Sequence, residues 1–255
     1  MPCIWPASSP TGAGTTCAGW HAREVVTIPT VVDTGAYRPA PLRREGPLTI
    51  GWIGAPPNAV YLEPLRPALA RLAQRFAIKL RLVGPSSFAC PGVQVECTGW
   101  RHYACVEDEV ADLHRFDVGI MPLPDTGFAA GKCALKAIQY MACGIPVVAS
   151  PVGVNAEVVQ DEVCGLLATT PAEWERALAR LLADPALREQ LGRAGRQRAQ
   201  AHYSIDAAAP RLVEALQRAA APPGLCEAAP QRGEAASREL LGPPPRGGGR
   251  PVATG

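Results

Sequence analysis

Residues 131–148 read Gly131-Lys132-Cys133-Ala134-Leu135-Lys136-Ala137-Ile138-Gln139-Tyr140-Met141-Ala142-Cys143-Gly144-Ile145-Pro146-Val147-Val148. Good helix formers fill 132–142 and run into Gly144, a residue that ends a helix in the left-handed conformation without a steric penalty. The apolar run at 145–149 has strand length and β-branched content. Loop, helix, glycine stop and buried strand make up the repeating unit of a parallel sheet.

The same alternation continues on both sides. Upstream, the run at 48–53 ends at Gly54 and predicts a buried strand and its turn. Leu62, Leu65, Leu69, Leu72 and Phe76 then mark one face of a helix. Strands are predicted at 78–83, at 93–97 and at 118–121, with a helix at 107–116. Downstream, Glu157-Val158-Val159 suits a short helix and 165–168 a last strand. Thr170-Pro171-Ala172-Glu173 reads as a capping box with proline in the first turn, opening a helix through Trp174, Leu178, Leu181 and Leu182. Asp184-Pro185 starts another. The fold class expected is α/β, a Rossmann-like, doubly wound, mostly parallel sheet. Such sheets bind ligands beyond the carboxyl ends of their strands, near the switch in strand order. That directs attention to the loops after Ile53, Val83, Cys97, Met121 and Ala149.

The chain has 255 residues, 47% of them hydrophobic, and a formal charge of +2, so no global field recruits nucleic acid. No run of eighteen apolar residues is present, which argues against a transmembrane segment. The first residues carry neither a basic start nor an apolar segment, and a cytoplasmic protein is expected. Nine cysteines form no CxxC pair and no spacing with histidine that suits a metal. A structural role as small buried hydrophobes is expected, with no metal. The 25 glycines and 27 prolines concentrate at the ends. The expected organisation is a disordered leader at 1–23, a linker-like segment at 24–46, a Rossmann-like domain at 47–218 and a disordered Pro/Gly-rich tail at 219–255.

Residues 131–136 carry the chemistry. A helix N-terminus facing the ligand crevice offers unpaired N–H groups and a positive dipole end to an anion. Gly131 lets an oxyanion approach the backbone closely. Only three lysines occur, Lys79, Lys132 and Lys136, among 25 cationic side chains. Two of them one helical turn apart look selected as point charges. The competing reading is a solvated helix face.

The segment from Gly131 to Val159, GKCALKAIQYMACGIPVVASPVGVNAEVV, resembles the donor-binding signature of glycosyltransferase family 4, which has the GT-B fold. The resemblance extends from about Val26, through VTIPTVVDTGAY and IGWIG, to about Ser204. It implies transfer of a sugar, with retention, from a nucleotide-diphosphate-sugar co-substrate to an acceptor hydroxyl. It also implies two Rossmann-like domains, of which this chain resembles the C-terminal, donor-binding one. A separate N-terminal acceptor-binding domain or chain is then an expected partner, and VTIPTVVDTGAY resembles the joint between the halves. The donor-binding residues implied are Gly54, Gly131, Lys132, Lys136, Gln139, Asn155 and Glu157, with no cofactor and no metal.

The sequence departs from the family pattern in two places. Of the paired glutamates around this helix, the leading position holds Gly131 and the trailing one Gln139. Gln139 retains an amide oxygen for ribose hydroxyls, and Asp125 is the nearest upstream carboxylate. The usual cations after the first strand are replaced by Gly54-Ala55-Pro56-Pro57-Asn58, leaving the diphosphate charge to Lys132 and Lys136. The alternative reading is a non-catalytic nucleotide-sugar or phosphate-binding module. A response-regulator-like domain is more distant, because no acidic cluster follows the first strand.

Overall fold

A computed structural model of the chain describes residues 26–40, 46–99, 103 and 105–220. Six strands, β1 (Leu48–Ile53), β2 (Ile78–Gly84), β3 (Gln94–Gly99), β4 (Val118–Met121), β5 (Val147–Ala149) and β6 (Leu166–Leu167), form one sheet in the order β3-β2-β1-β4-β5-β6. Every pairing in it is parallel. The helices are α1 (Arg66–Ala73), α2 (Val106–Leu113), α3 (Gly127–Ala130), α4 (Leu135–Ala142), α5 (Asn155–Val158), α6 (Pro171–Ala183), α7 (Pro185–His202) and α8 (Ile205–Ala220). A 3-10 segment, Pro56–Leu65, precedes α1. One face of the sheet packs on α2 and α4 through residues such as Val110, Leu113, Ile138 and Tyr140. The other packs on α1 and α6 through Leu69, Leu72, Leu178 and Leu181. This is the Rossmann-like α/β sheet that the alternation predicts.

Local signals set the boundaries they can reach. Thr170 accepts the N–H of Glu173 while the Glu173 carboxylate accepts the N–H of Thr170, so the capping box closes both ways. Gly144 turns at φ +69 after α4. The helix expected from 132 begins instead at Leu135, because Ala134 stands in the left-handed region at φ 57 and breaks it. The chain before it is coiled into the short α3, capped by the Thr126 hydroxyl. The end of the domain also differs: α8 runs to Ala220, past the start expected for the tail, while 1–25 and 221–255 lie outside the described residues. The chain divides after Ala215, and of the second part only 216–220, the end of α8, are described.

The linker-like segment is bound to the domain. Val32 exchanges backbone hydrogen bonds with the Tyr203–Ile205 stretch. The Arg196 guanidinium donates to the carbonyls of Thr34, Tyr37 and Ala142.

Between β1 and β4 the sheet opens. Among the described residues these strands pair at Ile50↔Val118 and Gly51↔Gly119 and then part. Both glycines are needed there: a Cβ on Gly51 would fall 1.9 Å from the Phe116 ring, and one on Gly119 2.5 Å from that of Tyr140. The two rings meet edge-on, 6.0 Å between centroids. The Ile53 N–H, left without a β4 carbonyl, donates to the buried Tyr140 hydroxyl at 3.1 Å. The divergence lies at the carboxyl ends of the strands, where the strand order switches, the place at which such sheets offer a ligand crevice.

Candidate functional site

Lys136 lies over this crevice. Its stem rests on Gly54, where an added Cβ would come within 2.7 Å of the lysine Cε. Its Nζ sits 5.6 Å from the centroid of the Trp52 ring. The strand-end glycine thus makes room for the protein's own lysine. Lys132 stands farther out, its Nζ 4.8 Å from the Phe128 ring and 5.8 Å from that of Tyr61, within cation–π range of both. Among the described residues, neither ammonium group has a carboxylate within ion-pair distance, whereas the third lysine, Lys79, bonds Glu96 at 3.0 Å. Burial, followed by repulsion from Lys132, holds the Lys136 ammonium below the ordinary lysine range. Two half-buried cations without counter-charges among the described residues, beside the N–H groups of the first turn of α4, form a site that favours an anion.

The other expected residues are distributed around these. Gly131 is exposed at the end of α3 with an ordinary φ of −78, and its N–H and that of Lys132 are spent on α3 carbonyls. The amides left for a ligand therefore begin no earlier than Cys133. Gly153, at φ +58, closes the loop after β5 onto α3, where a Cβ would fall 2.2 Å from the Ala130 carbonyl oxygen. Asn155 is fully buried and donates to the Ser150 carbonyl, leaving its Oδ1 without a partner among the described residues. Glu157 is exposed on α5, its carbonyl taking a bond from Arg198. Gln139 is turned inward: its amide nitrogen donates to the Tyr37 hydroxyl and to Glu109, both at 3.0 Å. Tyr37 also donates to Glu109, at 2.5 Å. Burial pushes the neighbouring Cys143 thiol up to about 12, so it behaves as a small apolar side chain.

Two hollows are present among the described residues, one beside this arrangement and one across the sheet from it. One of about 600 Å³ lies between the segments after β1 and β2, lined by Pro56, Val60, Arg66 and Phe88 among others. A larger one, about 880 Å³, opens at the opposite, amino-terminal edge of the sheet beside Gly144, Arg188, Arg193 and Arg196. Its arginines are engaged: Arg188 and Arg196 on backbone carbonyls, Arg193 on Glu189. Tyr61, Phe128 and Tyr140 are the site residues that sequence reasoning passed over. Tyr61 and Phe128 lie outside any motif, and Tyr140 reads as helix core.

The sequence pattern of the family described as Glycosyl transferases group 1 matches residues 47–184, more than half of the chain. A D-inositol 3-phosphate glycosyltransferase of Thermobispora bispora is 29% identical across 78% of this chain and 52% of its own length. The chain spans 52% of the length of that relative and 19% of the D-inositol 3-phosphate glycosyltransferase of Streptomyces bingchenggensis. Among solved structures, the sucrose-phosphate synthase of Thermosynechococcus elongatus superposes with a TM-score of 0.60 at 24% identity, covering 79% of this chain and 54% of that one. HepE of Anabaena, solved with UDP and glucose, superposes at 0.56 and 18% identity, over 74% and 56%. These likenesses show a shared fold. Among the described residues no helix is long and apolar enough to cross a membrane. The match over the sheet and its crevice makes this chain a member of the group 1 glycosyltransferases.

Proposed function

We propose that the chain is the donor-binding half of a cytoplasmic glycosyltransferase of the family 4 type, with 47–218 as the nucleotide-sugar domain and 24–46 as the joint to an acceptor-binding domain or chain. The observation that carries this is the pair of ammonium groups, Lys132 and Lys136, which have no carboxylate partner among the described residues and stand at the switch point of a parallel sheet. A nucleoside diphosphate supplies the missing negative charge. The loop after β1 brings no cation of its own, and Lys136 reaches across from α4 to stand above Gly54 in its place. In the reaction the bond from the sugar to the diphosphate breaks, and charge grows on the leaving oxygen. Lys136, Lys132 and the amides at Leu135–Ala137 stabilise that charge as fixed electrostatic partners. The transferred sugar leaves with retention, to a hydroxyl of an acceptor held by the other half. Relatives named D-inositol 3-phosphate glycosyltransferases and neighbours solved with UDP support this reading.

Calorimetry of the chain with UDP, GDP, UDP-glucose and GDP-mannose tests the donor site. We expect saturable binding of one nucleotide class, reduced at least tenfold by Lys136→Ala, as for loss of a charge-assisted contact worth about 1.5–3 kcal/mol. No binding of any nucleoside diphosphate overturns the reading.

A second reading, a binding module without turnover, is favoured by one specific observation. Gly131 brings no carboxylate to the rim, and Gln139 is occupied by Tyr37 and Glu109. Sugar release from the bound donor, measured with and without a supplied acceptor-binding half, separates the two. Binding without turnover in both arms selects the module.

A further inference from the structure

Phe128 is the most exposed large apolar side chain among the described residues, at 76%. An isolated exposed ring needs no explanation, but this one is held in place. Its helix, α3, is capped by the Thr126 hydroxyl and anchored by the buried Ala129. The loop after β5 closes against it at Ala130 because Gly153 has no side chain. Tyr61 also lies within cation–π range of Lys132, so two rings stand beside an ammonium group that has no carboxylate partner among the described residues. An anion that neutralises Lys132 brings whatever is bonded to it against one of these rings.

Strand order decides which part meets Phe128. A nucleotide sugar extends in two directions from its diphosphate. The hollow of about 600 Å³ between the segments after β1 and β2 lies on the β2 side of the β1 segment, and its volume is large enough for a nucleoside. Phe128 follows β4, on the other side. With the diphosphate at Lys132 and Lys136 and the nucleoside in the hollow, the sugar projects toward Phe128. A pyranose ring carries a face of C–H bonds, which complements the electron-rich face of an aromatic ring.

We propose that Phe128 is a specificity-determining residue, the platform on which the sugar ring of the bound nucleotide sugar lies. The proposal rests on the donor-site reading above. The experiment compares affinities of the whole chain for UDP and UDP-glucose, and for GDP and GDP-mannose, in the wild type, Phe128→Ala and Phe128→Trp. A ring contact of about 0.5–1.5 kcal/mol predicts that Phe128→Ala weakens the sugar conjugate about twofold to tenfold and leaves the free nucleoside diphosphate unchanged. Phe128→Trp restores the conjugate. Equal weakening of both ligands, or of neither, overturns the platform while leaving the donor site standing. A wild type that binds none of the four overturns both. Because the ring is exposed, an unchanged melting temperature in Phe128→Ala is the expected control, and a lowered one with equal losses counts against the proposal.

Discussion

The two edges of the sheet both carry cations, and they use them differently. At the amino-terminal edge, beside the larger hollow, Arg188 and Arg196 donate to main-chain carbonyls and Arg193 pairs with Glu189. At the carboxyl-terminal edge, Lys132 and Lys136 rest on aromatic rings and face no carboxylate among the described residues. Volume favours the first edge as a binding site, and uncompensated charge favours the second. Charge is the better guide, because a guanidinium already saturated by carbonyls has little left to offer a ligand, whereas a half-buried ammonium group gains most from an arriving anion.

The strongest test of this contrast removes a cation from each edge. Arg196→Ala unties Thr34, Tyr37 and Ala142 together, and a loss of about 3 kcal/mol in unfolding free energy is expected, with nucleotide affinity nearly unchanged. Denaturant melts with parallel calorimetry check both halves of that statement. Lys136→Met is expected to act in the opposite sense. Donor affinity falls about tenfold to a hundredfold, while stability holds or rises, because a desolvated charge without a partner is removed. If Lys136→Met unfolds the protein instead, the lysine is a structural element and the contrast collapses.

A smaller effect comes from pH. The folded-state pKa of Lys136 is depressed below its unfolded value, so at lower pH the charged lysine burdens the fold. That burden lifts as pH rises from the depressed value toward the unfolded one, so Lys136 makes the fold gain stability with pH in this window. Diphosphate affinity runs the other way, falling as the ammonium group loses its proton. Titrations of binding and of melting against pH should therefore slope in opposite directions through the same window, and Lys136→Met should remove its contribution to both. The least effect is expected at Arg193. Its bond to Glu189 joins two exposed side chains four residues apart, and Arg193→Gln should cost no more than about 0.5 kcal/mol in a thermal melt.

Much of the fold was legible because its signals are local. Thr170 and Glu173 close a capping box within four residues, and Gly144 sits where a helix must turn left-handed. Strands β1 and β4 match the apolar runs that predict them. The start of α4 was not legible. Alanine favours helix, and nothing in the sequence around Ala134 announces a left-handed residue. The charges of the candidate site, Lys132 and Lys136, could be picked out in the sequence, and its geometry less so. Gly54 reads as room for a ligand, and the structure fills that room with the Lys136 stem. Gln139 reads as a ribose contact, while its amide bonds reach residues thirty and a hundred and two positions away in the chain. Pairings of that span leave no mark in the local sequence.

The left-handed Ala134 has one more consequence. A residue with a β-carbon in that conformation carries a penalty of order 1 kcal/mol, so Ala134→Gly would relieve a local distortion. Glycine would also free the elbow that joins α3 to α4, and with it the relative placement of the two ammonium groups. A stiff elbow keeps both charges aimed before any anion arrives, so the entropy of alignment is lost during folding rather than on encounter.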